Sequence, residues 1–193
     1  MITINTSINI AGITFKNPIM PASGTFGSGQ EPKMVEYITS EIKKITKKPI
    51  SMKLTPNVTD ITEIAKAVEA GGADGADSIS LINTITGMRI DVEKRKFCVA
   101  NKTGGLSGSA IKPIALRMVY QVCHAVKIPV IGMGGIATIN DVLEFIMAGA
   151  TGIAIGTANF NNSFVMPEII SELSKYMEEN NIETLDEIRG IVG

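Results

Sequence analysis

The feature that most constrains the fold is a repeated rhythm of short apolar runs and helical stretches, in which the runs end in glycine or in a polar pair. Segments 50–55, 78–83, 129–133 and 152–155 are rich in Ile, Val, Leu and Met, and each leads towards a stretch of helical period. Strands that are nearly continuously apolar are covered on both faces, which argues for a parallel sheet packed under helices. Asp60-Ile61-Thr62-Glu63 has the form of a capping box, and behind it Ile61, Ile64, Ala65 and Val68 fall on one face. Further helices are predicted from Pro32, with Val35, Ile38, Ile42 and Ile45 on one face, and over 110–126, 140–147 and 164–178. A short last helix is capped by Thr184, with Glu187 three residues on. Ahead of the first helix, Ile4, Ile8, Ile10, Ile13 and Phe15 follow a period of two around Ala11-Gly12, which predicts a hairpin, and 18–22 reads as a short buried strand. A smaller hairpin is predicted from 88–92 against 97–99.

That makes five core strands in one domain spanning residues 1–193, without a linker or a low-complexity tract. Two architectures accept five parallel strands. A closed (β/α)8 barrel needs eight units and typically about 250 residues, whereas an open doubly wound sheet needs no more than five. Periodicity alone leaves both open.

Composition excludes several function classes. A formal net charge of −1 provides no electrostatic footprint for nucleic acid or an anionic membrane. No run approaches about 18 apolar residues, and the start lacks a basic segment followed by an apolar one, so a cytoplasmic protein is expected. Cys98 and Cys123 have neither metal-ligand nor disulfide spacing, and His124, the one histidine, sits among packing residues of a helix.

Chemistry concentrates at the strand ends. Gly132-Met133-Gly134-Gly135 closes one strand, and Gly156-Thr157 closes the next. Glycine lets main chain approach an anion, and N–H groups at a strand-to-helix turn cradle phosphate. Two such turns one βα unit apart match the phosphate position common in barrels, although each could simply ease a tight turn. A dinucleotide fingerprint is absent, because the third glycine is missing and the motif is not in the first βα turn. In Ser51-Met52-Lys53-Leu54-Thr55 the polar residues alternate, placing Ser51, Lys53 and Thr55 on the inner face. A lysine there either reaches solvent at the strand end or stands as a fixed cation beside an electron-rich ring, where it favours the anionic reduced form of a flavin. Asn83-Thr84 adds amide and hydroxyl groups at the same mouth, and 102–108 reads as a flexible glycine-rich approach to a helix. No nucleophile–base pair is visible.

Taken together, Asn17-Pro18-Ile19-Met20-Pro21-Ala22-Ser23-Gly24, Lys53-Leu54-Thr55-Pro56-Asn57, Ile82-Asn83-Thr84, Gly87-Met88-Arg89-Ile90-Asp91, Asn101-Lys102-Thr103-Gly104-Gly105-Leu106-Ser107-Gly108, Gly132-Met133-Gly134-Gly135 and Gly156-Thr157-Ala158-Asn159 resemble class 1B dihydroorotate dehydrogenase. The resemblance runs in order along nearly the whole chain. It implies a TIM (β/α)8 barrel, represented here by five βα units (strands 1 and 5–8) plus an N-terminal hairpin. It also implies a flavoprotein oxidoreductase of pyrimidine biosynthesis that oxidises dihydroorotate to orotate with hydride transfer to FMN. By the same resemblance Ser23, Lys53, Ile82, Gly108, Gly134, Gly135, Gly156 and Thr157 contact FMN, and Asn83 and Thr84 hold substrate. The implied partner is an electron-transfer subunit carrying FAD and an iron–sulfur cluster and passing electrons to NAD+, with catalytic subunits paired as a homodimer within a heterotetramer. The chain departs from the family near residues 30–32, where a long stretch is missing. That stretch would carry the second to fourth strands and the catalytic cysteine, so the catalytic base is unassigned. Two other functions stay open on the residues alone: a non-catalytic phospholigand-binding or assembly fragment, and a sugar-phosphate lyase or isomerase barrel.

Overall fold

In the computed structural model, residues 4–21, 32–70 and 75–193 are described. The expected hairpin is present: β1 (Ile8–Ile10) pairs antiparallel with β2 (Ile13–Phe15). Its turn has Ala11 at φ 55° and Gly12 at φ 79°, the double left-handed conformation whose twist suits a two-residue hairpin. There follow β3 (Ile19–Pro21), α1 (Pro32–Ile45), β4 (Ser51–Lys53), α2 (Ile61–Glu69) and β5 (Ser78–Leu81). Two small ribbons come next, built from β6 (Ile85–Met88), β7 (Ile90–Asp91), β8 (Lys96–Phe97) and β9 (Thr103–Leu106). A 3-10 turn over Ser109–Ile111 leads into α3 (Lys112–Ala125), then β10 (Val130–Met133), α4 (Ile139–Met147), β11 (Gly152–Ile155), α5 (Ala158–Asn161) and α6 (Val165–Glu179). The last predicted helix is a single 3-10 turn, Leu185–Glu187, closed by the expected Thr184–Glu187 capping box.

Strand order decides between the two architectures. The five-stranded sheet runs β3-β11-β10-β5-β4, with every pairing parallel. From β4 the chain adds β5, β10 and β11 in one direction, and right-handed crossovers then put α2, α3 and α4 on one face. Accordingly α2 packs on α3, and α3 on α4. A doubly wound sheet reverses direction at a switch point and carries helices on both faces; this sheet never reverses. The earliest strand, β3, pairs with the latest, β11. The strands form an arc of a singly wound barrel, not closed, with β3 and β4 at its edges.

Register sorts the side chains, since partners in a parallel pair share a face. Lys53, Ser80, Ile131 and Gly152 form one inner layer, and Met133, Ala154 and Met20 the next. On the opposite face Ile79, Leu81 and Ile153 are fully buried beneath the helices with Val68, Val119, Phe145 and Leu173. Burying each such side chain stabilises by about 1.5–3 kcal/mol. Gly132 also faces the helices, where a Cβ would come within 2.6 Å of the Phe145 ring, so glycine there makes room for that ring. Below, a Cβ on Gly152 would be 3.2 Å from the Ile10 side chain: the β1–β2 hairpin plugs the amino-terminal end of the inner face.

Three expectations change. Helix α1 has the predicted period, but Ile38 and Ile45 are exposed, because α1 packs chiefly against α2 on its Val35–Thr39 side. The hairpin predicted from 88–92 shrinks to β7 against β8, and a second ribbon joins β6 to β9. Most of the supposedly flexible 102–108 loop is therefore strand β9. At the other end of the sheet, Lys43 bonds both carboxylate oxygens of Asp77 at 2.7 and 2.8 Å, and Asp77 also accepts from the Ile50 N–H at 2.7 Å. One carboxylate thus ties α1 to the starts of β4 and β5.

Candidate active site

The carboxyl ends of β4, β5, β10 and β11 open on a cleft of about 880 Å³. Lys53, the last residue of β4, reaches it from the inner layer beside Ser80. Burial holds its ammonium below the ordinary lysine range, since there is less water to solvate the charge. From the end of β5 come Ile82, Asn83 and Thr84. The Ile82 N–H donates to the Met133 carbonyl at 3.0 Å and that of Asn83 to the Leu54 carbonyl at 2.9 Å, so both neighbouring strands fix this segment. Ile82, Met133 and Ala154 give the cleft an apolar floor.

Asn57 fixes the same segment from outside. Its Nδ2 donates to the Thr84 carbonyl at 3.1 Å, and its Oδ1 accepts from the Thr86 N–H at 2.9 Å. Sequence reasoning did not single it out; the signal available was an Asn following the β4 strand at the expected mouth. Gly105 on β9 is also explained here, because a Cβ would overlap the Thr84 side chain.

Three glycine turns form one wall. Gly108, Gly134 and Gly135 have φ of 91°, 124° and 76°. A Cβ on Gly134 would be 2.8 Å from that of Ala115, and one on Gly135 would be 2.9 Å from the Gly108 carbonyl oxygen. The turns after β10 and before α3 are therefore packed main chain to main chain. Among the described residues, the N–H groups of Gly134, Gly135, Gly156 and Thr157 donate to no other group. Thr157 donates its hydroxyl to Ser107 Oγ at 3.1 Å and leads into the four-residue α5. Glycine-turn amides on the loops after the last two strands, with a short extra helix beside them, are what an anionic group needs at the top of a barrel.

Of the ten residues singled out from the sequence, Lys53, Ile82, Asn83, Thr84, Gly108, Gly134, Gly135, Gly156 and Thr157 all line this one cleft. Ser23 and the junction at 30–31 lie outside the described residues. Neither cysteine lines the cleft. Burial pushes the Cys123 thiol up to about 12, and Cys98 is exposed in the ribbon region. His124, expected among packing residues, is exposed near the end of α3, where its Nδ1 lies 2.8 Å from the Tyr120 carbonyl and its ring leans on that tyrosine. Among the described residues there is no cluster of potential metal ligands, and no helix is long and apolar enough to cross a membrane.

The sequence profile of the family described as "Dihydroorotate dehydrogenase" matches residues 28–177. The chain belongs to the dihydroorotate dehydrogenase family. Three relatives, each named "Dihydroorotate dehydrogenase B (NAD(+)), catalytic subunit", illustrate the likeness. That of Lachnoclostridium phytofermentans is 57% identical over 169 residues, which is 88% of this chain and 55% of the relative. That of Alkaliphilus oremlandii is 52% identical over 183 residues, 95% of this chain and 59% of the relative. That of Listeria monocytogenes serotype 4a is 49% identical over 166 residues, 86% and 54%. The chain spans about half the length of the curated relatives it matches. Dihydroorotate dehydrogenases are (β/α)8 barrels, and the five-stranded arc, with its first and last strands paired, fits that plan.

Proposed function

We propose that this chain is the FMN-binding portion of a class 1B dihydroorotate dehydrogenase catalytic subunit: one barrel domain, interrupted near residues 30–32, serving dihydroorotate oxidation in pyrimidine biosynthesis. The observation that carries the reading is the convergence of nine residues, from five separate stretches of chain, on a single cleft with an apolar floor and a wall of glycine-turn amides that have no acceptor among the described residues. A flavin mononucleotide fits that donor set. The Gly134-Gly135 and Gly156-Thr157 amides would hold its phosphate, Ile82, Met133 and Ala154 would lie along its ring, and Gly108 would admit close main-chain approach. FMN, when bound, supplies the hydride acceptor. Lys53 would place a positive charge at the electron-rich part of the ring, and its lowered pKa reflects how little water shares that position. Asn83 and Thr84, fixed through Asn57 and the neighbouring strands, would orient the substrate by amide and hydroxyl hydrogen bonds. Neither Cys98 nor Cys123 lines the cleft; in this reading the base that takes the substrate proton is the family's cysteine, expected in the stretch that the relatives have beyond this chain. The partner in this reading is an electron-transfer subunit with FAD and an iron–sulfur cluster, joined to paired catalytic subunits in the cytoplasm.

The test is to purify the whole chain, add excess FMN, remove unbound flavin and record the absorbance, then add dihydroorotate without oxygen. Retained flavin is expected, with bleaching slower than in a full-length relative by about 10²–10⁴, the usual worth of a general base. Lys53→Ala should weaken flavin retention or slow bleaching further. A chain that retains no flavin would refute the proposal.

A further inference from the structure

The turn after β10 is held from behind by one carboxylate. Asp141 is the third residue of α4, and its Oδ2 accepts from the N–H groups of Ala137 and Thr138, both at 2.9 Å. Its Oδ1 accepts from Lys112 Nζ at 2.7 Å. Lys112 opens α3, and its amide nitrogen is one of the atoms a Cβ on Gly135 would meet at 2.9 Å. Lys112 therefore touches the glycine turn with its main chain and locks Asp141 with its side chain. Glu144, one turn further along α4, joins at 3.0 Å.

A capping box needs only the exchange between Thr138 and Asp141, which is present. The second amide, Ala137, and the bridge to another helix go beyond capping. Burial alone would raise the Asp141 pKa, but the bonds from Lys112, Ala137 and Thr138 outweigh it and keep the carboxyl below its ordinary range, hence charged at neutral pH. Lys112, whose own pKa is raised first by Asp141 and then by Glu144, offsets that charge near a site meant for an anion. Ala137 and Thr138 line the cleft, whereas Asp141 does not.

Resting on the FMN reading above, we propose that Asp141 is a positioning residue for the phosphate: paired with Lys112, it fixes the 134–138 turn so that the Gly134 and Gly135 amides face the anion. It acts through the turn and touches no ligand.

The experiment titrates the whole chain with FMN and with riboflavin, which lacks the phosphate, following the quenching of flavin fluorescence. Wild-type protein should bind FMN well over tenfold more tightly than riboflavin. Asp141→Asn should weaken FMN by about 10- to 100-fold, as expected for losing charge-assisted hydrogen bonds, and leave riboflavin within about twofold. Lys112→Met should act in the same direction, and it carries the test if Asp141→Asn does not fold. Equal weakening of both flavins, or unchanged FMN affinity in a folded variant, would overturn the positioning role alone. Wild-type protein that does not prefer FMN would overturn the phosphate cradle, and this role with it, before any substitution is made.

Discussion

Replacing Gly135 by alanine would put a methyl group 2.9 Å from the Gly108 carbonyl oxygen and equally close to the Lys112 amide nitrogen. Both are main-chain atoms at the entry to α3, so no side chain can rotate away. Two costs add. Holding a non-glycine residue at φ 76° costs about 1 kcal/mol. Overpacking against atoms that cannot yield costs about 1–3 kcal/mol more. The sum, about 2–4 kcal/mol, has an internal control in Gly12. That glycine has nearly the same φ, 79°, but a Cβ there meets nothing within 4 Å, so Gly12→Ala should cost only about 1 kcal/mol. Urea unfolding of the two variants, with similar m-values, measures the difference directly. Equal losses would refute the claim that close main-chain packing, and not backbone conformation alone, requires glycine at 135.

Four further outcomes are expected. Asp77→Asn should cost about 2–3 kcal/mol by removing a charged acceptor shared by Lys43 and Ile50. Burial raises the Asp77 pKa, but Lys43 and the Ile50 amide lower it further, so the wild type should lose that stability as pH falls below about 3.9 and the variant should be flatter there, which acid unfolding curves would check. With the Cys123 thiol raised to about 12, the unfolded chain gives up its proton first, so stability should fall above about pH 8.5, less so in Cys123→Ala. In native protein at neutral pH a thiol reagent should label Cys98 well before Cys123, as mass spectrometry would show. Phe145→Ala should cost about 3–5 kcal/mol, read by denaturant unfolding, because it empties the space that Gly132 opens for the ring.

Much of the cleft was legible because its residues obey local rules. Lys53 alternates with Met52 and Leu54, and a period of two fixes its face once the strand exists. The turns at 134–135 and 156–157 follow apolar strands directly, and their glycines announce a main-chain approach. Strand β9 was hidden for the opposite reason. Thr103-Gly104-Gly105-Leu106 has little intrinsic strand preference, and what makes it a strand is pairing with Ile85–Met88, a contact between distant segments. Gly105 looked like flexibility and is instead space for Thr84. The choice between barrel and open sheet was equally out of reach of local pattern, since it depends on which strand lies beside β11. Ile38 and Ile45 show the limit of periodicity: it locates a helical stripe, but not whether a neighbour covers it.

The pairing of β3 with β11 also sets a timetable. Ile19 and Ile153 are register partners although more than a hundred residues of chain separate them. At a synthesis rate of about 5–20 residues per second, β3 waits on the order of ten seconds on the ribosome before its partner exists. During that interval the β1–β2 hairpin has no Gly152 to plug and β3 has no β11 beside it, so the start of the chain cannot complete its native pairing until β11 has been made. A strand edge held open that long is a natural client for a chaperone, and substitutions that slow β11 in reaching it should lower the yield of folded protein before they alter its final stability.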